Sequence, residues 1–336
     1  MNNNKPNILV FADFPNWAYH HIQQFIKDNL SDEFNIYTDF MVYNYKRRIR
    51  NPWKLLANMS GKIRYQNVRK DKKYNIVVYL GFYMPDHIRI NWTTERIIKG
   101  IYTEGFPPLQ TNKENVNSLE DFVRLYLHDT DALVCGSLQI KEFYSKGFGN
   151  VHYASGATDA NHFRKKKEIV RNDSNIFRIG WTGNPERNFK GFYSHVVPAV
   201  EKAREKYPGI KLLTRFSGPL KTLPGFYEDI DLVVIASDAD AGPSMFAEAS
   251  YMNTPSISTR VGIPNEIIED GVNGFFVERD IDEIAARIIQ LYEERELLFK
   301  MSLRIRDDFL SKRNRDIMIK RWRTMFNEVL GRSQEH

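Results

Sequence analysis

Seven short, almost uninterrupted apolar runs punctuate the chain: NILVFAD (7–13), YNIVVYLG (74–81), DALVCGS (131–137), NIFRIGWTG (175–183), IKLLTRFSG (210–218), DLVVIAS (231–237) and PSISTR (255–260). Continuous apolar runs suit strands buried on both faces, because a strand with one wet face alternates instead. Between several of them the apolar positions take a helical period. YHHIQQFIKDNL (19–30) aligns Ile22, Phe25, Ile26 and Leu30, and DEIAARIIQLYEERE (282–296) aligns Ile284, Ala285, Ile288 and Leu291. RDIMIKRWRTMFNEVL (315–330) is also amphipathic and reads as a packing helix. This alternation predicts an α/β protein with parallel sheets, whose ligands bind at the carboxyl ends of strands. ANHFRKKKEIVRNDSN (160–175) is polar and charged and reads as a linker between two similar halves.

A length of 336 residues fits two domains. Cys135 is the only cysteine and sits in an apolar run, so no intrachain disulfide forms and a buried thiol is expected. The N-terminus MNNNKPNILVFADF reads neither as a signal peptide nor as a membrane span, and a cytoplasmic protein is expected. Net charge is +6, but it is uneven: Tyr45–Tyr74 holds eleven Lys or Arg against one acid, Asp71. Such a patch, at 46–73, is a solvated face or a seat for a polyanion or an anionic membrane. Trp53, Leu55 and Leu56 suit a membrane interface, whereas Trp53 and Tyr65 suit stacking on bases.

The chemistry concentrates after DLVVIAS, in DADAGPSMFAEASYMNTP (238–255), where Asp240 and Glu248 flank Gly242-Pro243. Glycine accepts positive φ and proline fixes its own, so the chain turns sharply there, and a helix is predicted from about Ser244 with Glu248 in its early turns. Carboxylates hold vicinal sugar hydroxyls through charge-assisted hydrogen bonds, and a helix N-terminus seats phosphate. Acids at helix starts also serve as caps and dipole partners, so the spacing alone leaves both readings open.

The run from Asp240 to Ile288 resembles the signature of family 4 retaining glycosyltransferases of the GT-B fold. The matching residues are Asp240, Glu248-Ala249, Thr254-Pro255, Gly262 to Glu266, and Asp270 to Gly274; Gly156, Asp159 and Phe163 match more weakly upstream. The resemblance implies two Rossmann-like domains facing a central cleft: an acceptor domain at 1–160, a nucleotide-sugar donor domain at 170–310, and a C-terminal helix at 311–336 crossing back. It implies that Glu248 holds the ribose hydroxyls, that Asp240 contacts the donor sugar, and that the loop of Gly242, Pro243 and Ser244 touches sugar and phosphates. Asp240 replaces the usual Glu, one methylene shorter, and Pro243 removes an N–H. In GWTGNPERNFKGF (180–192), Lys190-Gly191 matches the family's cationic element, which stabilises the leaving diphosphate. Asn184 follows Gly183 where the family carries Arg, and Arg187 is the candidate substitute. No cofactor or metal is expected, with a UDP-sugar as the implied substrate; Asp238-Ala-Asp240 has the form of a metal motif, but the downstream match gives Asp240 another role.

On the acceptor side Asp13, Trp17, His20 and Glu104 are candidates, with His87 at a further strand end. The expected function is retaining transfer of a sugar to a glycan or lipid-linked acceptor, with the basic patch resting on the inner membrane face. Two alternatives stand beside it: glycosylation of modified DNA bases, with the patch on phosphates, and a non-catalytic nucleotide-sugar or polyanion binder.

Overall fold

The computed structural model describes residues 5–43, 73–88, 94–103, 116–166 and 175–331. The chain divides into two compact units, one of Met1–Ala157 with Arg315–His336, the other Thr158–Asn314.

The first unit contains β1 (Asn7–Ala12), α1 (Ala18–Leu30), β2 (Asn35–Phe40), β3 (Tyr74–Tyr79), α2 (Met84–His87), β4 (Thr94–Ile101), α3 (Leu119–Tyr126), β5 (Ala132–Cys135), α4 (Leu138–Tyr144) and β6 (Val151–Tyr153). Its strands form one sheet in the order β2-β1-β3-β4-β5-β6, with every described pairing parallel. The residues of β1 from Ile8 to Ala12 and of β3 from Ile76 to Val78 have no solvent exposure, which is why they read as continuous apolar runs. Ser118 and Ser137 cap α3 and α4 by accepting from the N–H of Asp121 and Ile140.

The second unit runs β7 (Phe177–Thr182), α5 (Val197–Lys206), β8 (Ile210–Arg215), α6 (Leu223–Glu228), β9 (Leu232–Ile235), α7 (Ser244–Tyr251), β10 (Ser256–Ser258), α8 (Gly262–Ile267), β11 (Phe275–Phe276), α9 (Ile281–Glu293) and α10 (Arg295–Arg313). Its parallel sheet has the order β11-β10-β9-β7-β8. The last helix, α11 (Arg315–Val329), returns to the first unit. There Trp322 Nε1 donates to Ser155 O at 3.0 Å, Phe326 meets Phe34 edge-on, and Arg323 pairs with Glu33.

All seven apolar runs are strands, each shorter than its run. Among the described residues four more strands carry no such signal: β2, β4, β6 and β11. β4 reads TERIIKGI because its inward Lys99 is neutralised in place, donating to Asp129 Oδ1 at 2.5 Å and Tyr126 O at 2.6 Å. On α1 the buried stripe departs from expectation. Phe25 is only half-buried, while Gln23 is buried and donates to Val10 O and Asp39 O, tying the helix to β1 and β2. The helix expected over 282–296 breaks at Glu294, whose ψ of 63° leaves the helical region. Of the expected linker, 167–174 lies outside the described residues. Phe163 and Lys166 before it are buried in the second unit, with Lys166 Nζ donating to Ile230 O. Cys135 is buried, and burial pushes its thiol up.

Candidate functional site

At the carboxyl ends of β7 and β9 the second unit brings a lysine to an aspartate. Lys190 closes the turn Asn188–Lys190, and Gly191 follows with φ of 67°. Glycine is required there twice over, since a Cβ on Gly191 would lie 2.4 Å from Ala236 O. The close approach lays the turn against the end of β9, where Asp238 N donates to Phe189 O at 2.9 Å. Arg279 fastens the same junction, donating from Nε to Ala236 O (2.9 Å), from Nη1 to Asp238 Oδ2 (3.2 Å) and from Nη2 to Asn188 O (3.0 Å). Lys190 Nζ thereby reaches Asp240 Oδ2 at 2.8 Å, the two side chains being 20% and 14% exposed. Asp240 Oδ1 accepts from Gly242 N.

Helix α7 begins at Ser244 behind Pro243, and no side chain caps it, so its first amides carry the positive end of the helix dipole. Gly242 is needed for a different reason from the one expected. It does not adopt positive φ, but a Cβ would meet Ile263 Cδ1 at 2.6 Å. The positive φ falls instead on Gly262, at 25°, packed against Ala241 O. One turn into α7, Glu248 Oε2 accepts from Tyr227 OH at 2.7 Å, and that hydroxyl lies 3.1 Å from Thr182 Oγ1. Burial pushes the Glu248 carboxyl above the ordinary glutamate range, while the Tyr227 hydrogen bond and the charges of His162 and Arg215 pull the other way. Burial likewise drives the Tyr227 phenol far up, so it remains a donor.

The other predicted positions of this unit lie on the β7 loop. Gly183 has φ of 136°, Asn184 Oδ1 accepts from Glu186 N, and Arg187 is exposed with its carbonyl accepting from Lys190 N. Asp238 and Asp240 pair with separate cations, Arg279 and Lys190. The structure adds Thr182, Arg215, Tyr227, His162 and Arg279. Of these, Thr182 and Arg215 end β7 and β8, the places where the strand-end rule directs attention.

In the first unit, Asp13 follows β1 and is buried; burial raises its carboxyl, whose Oδ1 accepts from Phe14 N at 2.7 Å. Trp17 is 55% exposed with its ring 4.9 Å from Phe14. His20 is buried at the start of α1, its Nδ1 accepting from Asn16 N and its ring edge-on to Phe40; burial lowers its pKa. His87 ends α2 with its ring near Tyr83. Glu104 lies outside the described residues, as does the basic patch except Lys73, which pairs with Glu95. Among the described residues no helix is long and apolar enough to cross a membrane.

Residues 176–294 match the family model for Glycosyl transferases group 1. The poly(ribitol-phosphate) alpha-N-acetylglucosaminyltransferase of Staphylococcus aureus is 26% identical over 102 residues, 30% of this chain and 21% of that protein. The N-acetyl-alpha-D-glucosaminyl L-malate synthase of Bacillus anthracis is 29% identical over 101 residues, 30% of this chain and 26% of that protein. The matched stretches span only 21% and 26% of the lengths of these two relatives. Among solved structures, HepE of Anabaena in complex with UDP and glucose superposes with a TM-score of 0.64 at 12% identity, covering 95% of this chain and 99% of that one. The two parallel-sheet units are those of the GT-B fold.

Proposed function

We propose, from the group 1 glycosyltransferase domain that residues 176–294 form, that the chain transfers a sugar from a nucleotide-diphosphate sugar to a glycan or lipid-linked acceptor. The observation that carries this is the Lys190–Asp240 pair at 2.8 Å beside the uncapped start of α7, with Glu248 one turn further along that helix.

Each group has a task in that reaction. Glu248 accepts from the ribose hydroxyls. The amides of Ser244 and its neighbours, with Lys190, meet the diphosphate and stabilise the charge that grows on it as the bond to the anomeric carbon breaks. Asp240 accepts from a hydroxyl of the donor sugar and holds Lys190 in reach of both groups. Arg187, on the same turn, is the second cation. The charge on the departing diphosphate is met by these side chains and amides, without a metal. The acceptor hydroxyl attacks from the face the diphosphate leaves, its proton passing to a phosphate oxygen, and the anomeric configuration is retained. On the first unit, the Asp13 carboxylate and the exposed Trp17 ring are the groups assigned to the acceptor.

The UDP of the HepE complex and the N-acetylglucosaminyl groups named for the two relatives support UDP-N-acetylglucosamine as the donor to try first. The poly(ribitol-phosphate) named for one of them supports a polyhydroxylated acceptor. The test is a thermal-shift screen of UDP, UDP-N-acetylglucosamine and UDP-glucose, followed by donor turnover. A ligand at a hundred times its Kd stabilises by about 2.7 kcal/mol. Turnover in Lys190→Ala is expected to fall by roughly 10²–10³-fold, the loss typical of one transition-state contact, and Glu248→Ala is expected to weaken donor binding through the lost ribose contact. No shift and no turnover with any nucleotide sugar would refute the proposal.

A further inference from the structure

We infer that Tyr227 is a positioning residue, one that holds Glu248 so that a single carboxylate oxygen, Oε1, is presented to a ribose hydroxyl; this rests on the donor site proposed above. The hydrogen-bond geometry fixes the direction of each bond. An ionised carboxylate only accepts, so the Tyr227 phenol donates its one hydrogen to Glu248 Oε2, and Thr182 Oγ1 donates in turn to the phenol oxygen. Oε2 is thereby committed. Among the described residues Oε1 has no hydrogen-bond partner, and it is not among the sealed, unsatisfied atoms of the interior.

Every other charged group that acts on this carboxylate is occupied elsewhere. The Arg215 guanidinium, at the end of β8, donates to Pro219 O, Thr222 O and Thr222 Oγ1 at 2.8, 3.2 and 2.6 Å. His162 Nε2 lies 3.0 Å from Leu220 O. Both lower the Glu248 carboxyl pKa from a distance, but neither touches it. Tyr227 is the direct partner, and its ring is fixed by Phe163 and Phe226 at centroid distances of 6.2 and 5.4 Å. A phenol anchored in the core and a threonine on the adjacent strand therefore set the angle of the carboxylate. Three chain segments that share no sequence spacing (β7, α6 and α7) meet in this one relay.

A carboxylate oxygen aimed in advance discriminates strongly between a hydroxyl and its absence, because the deoxy analogue leaves a desolvated acceptor unpaired. Tyr227→Phe keeps the packed ring and removes only the donor. The test measures Kd for UDP, 2′-deoxy-UDP and 3′-deoxy-UDP by calorimetry from about pH 5 to 8, the span into which burial can carry a carboxyl, in wild type and variant.

Wild type is expected to prefer UDP over at least one analogue by about tenfold or more, the worth of a hydrogen bond to a charged group. In Tyr227→Phe that preference is expected to fall to near unity. The acid limb of UDP affinity should also move to higher pH, since the bond that favours the ionised carboxylate is gone. Thr182→Val, which loosens the phenol without touching Glu248, should shift both readouts the same way by less, and it decides the matter if the phenylalanine variant does not fold. A variant that keeps the wild-type UDP preference and acid limb overturns the inference. So does a wild type that binds UDP and both analogues equally, which leaves the donor site standing. A wild type that binds no nucleotide removes the donor reading itself.

Discussion

Gly191 is the position where backbone geometry and chemistry meet most directly. Gly191→Ala places a methyl group at φ of 67°, 2.4 Å from Ala236 O. The left-handed conformation costs an L-residue about 1–2 kcal/mol, and relieving a clash with fixed backbone costs about 1–3 kcal/mol more. A total near 3 kcal/mol corresponds to a drop in Tm of roughly 6–12 °C for a unit of this size. The relief must come from the turn itself, because Ala236 continues β9 at the centre of the unit's core. Lys190 is then carried away from Asp240, and a displacement on the order of 1 Å costs about 10²-fold in rate. The assay pairs thermal unfolding with donor turnover and uses Gly225→Ala as the control. A Cβ there has no atom within 4 Å and the φ is not positive, so alanine in α6 should raise stability by about 0.5–1 kcal/mol. If Gly191→Ala melts with wild type and keeps its turnover, the argument that this turn is held by close backbone contact is wrong.

Two further outcomes follow from the same unit. Glu248 carries a carboxyl raised by burial above the ordinary 4.5, so the folded state holds its proton to higher pH than the unfolded chain does. Stability therefore falls as pH rises through that interval. Glu248→Gln should be more stable than wild type at neutral pH, with the difference closing as pH approaches 4.5, while turnover is lost; equal melting curves at pH 7 would contradict this. Arg279→Met removes three donors from the junction beneath Lys190. Turnover should drop about tenfold or more and UDP affinity should weaken with it, because Lys190 also meets the diphosphate, and Arg279→Lys should not restore either, because an ammonium does not span three acceptors in a plane; a methionine variant as active as wild type would show that the turn needs no such fastening.

What the sequence disclosed of this molecule depended on how completely each segment is buried. β1, β3, β5, β7 and β9 lie inside their sheets and left continuous apolar runs. Among the described residues β2, β6, β8 and β11 lie at sheet edges; β2, β6 and β11 are half-wet or very short and left no run, whereas β8, although half-exposed, was still legible through Ile210, Leu212 and Leu213. β4 is interior, yet its buried lysine disguises it, since the neutralising Asp129 lies thirty residues along the chain. The site divides in the same way. Asp240, Glu248 and Lys190 could be named because their spacing follows a family pattern. Tyr227, Thr182, Arg215 and His162 converge on Glu248 from segments with no common spacing, so only the fold brings them together. Gly242 shows that a correct residue can have an unexpected cause: the room it yields goes to Ile263, and the unusual torsion lies at Gly262.

The return of α11 to the first unit has a consequence for how the molecule is made. Met318, Trp322, Met325 and Phe326 have no solvent exposure in that unit, so its core lacks a wall until residue 326 has been synthesised. All the contacts of the unit that comes second along the chain are available by residue 314. During vectorial synthesis the later half is thus the first able to finish, and the earlier half waits on the ribosome with Phe34 and the Ser155 carbonyl still lacking their partners.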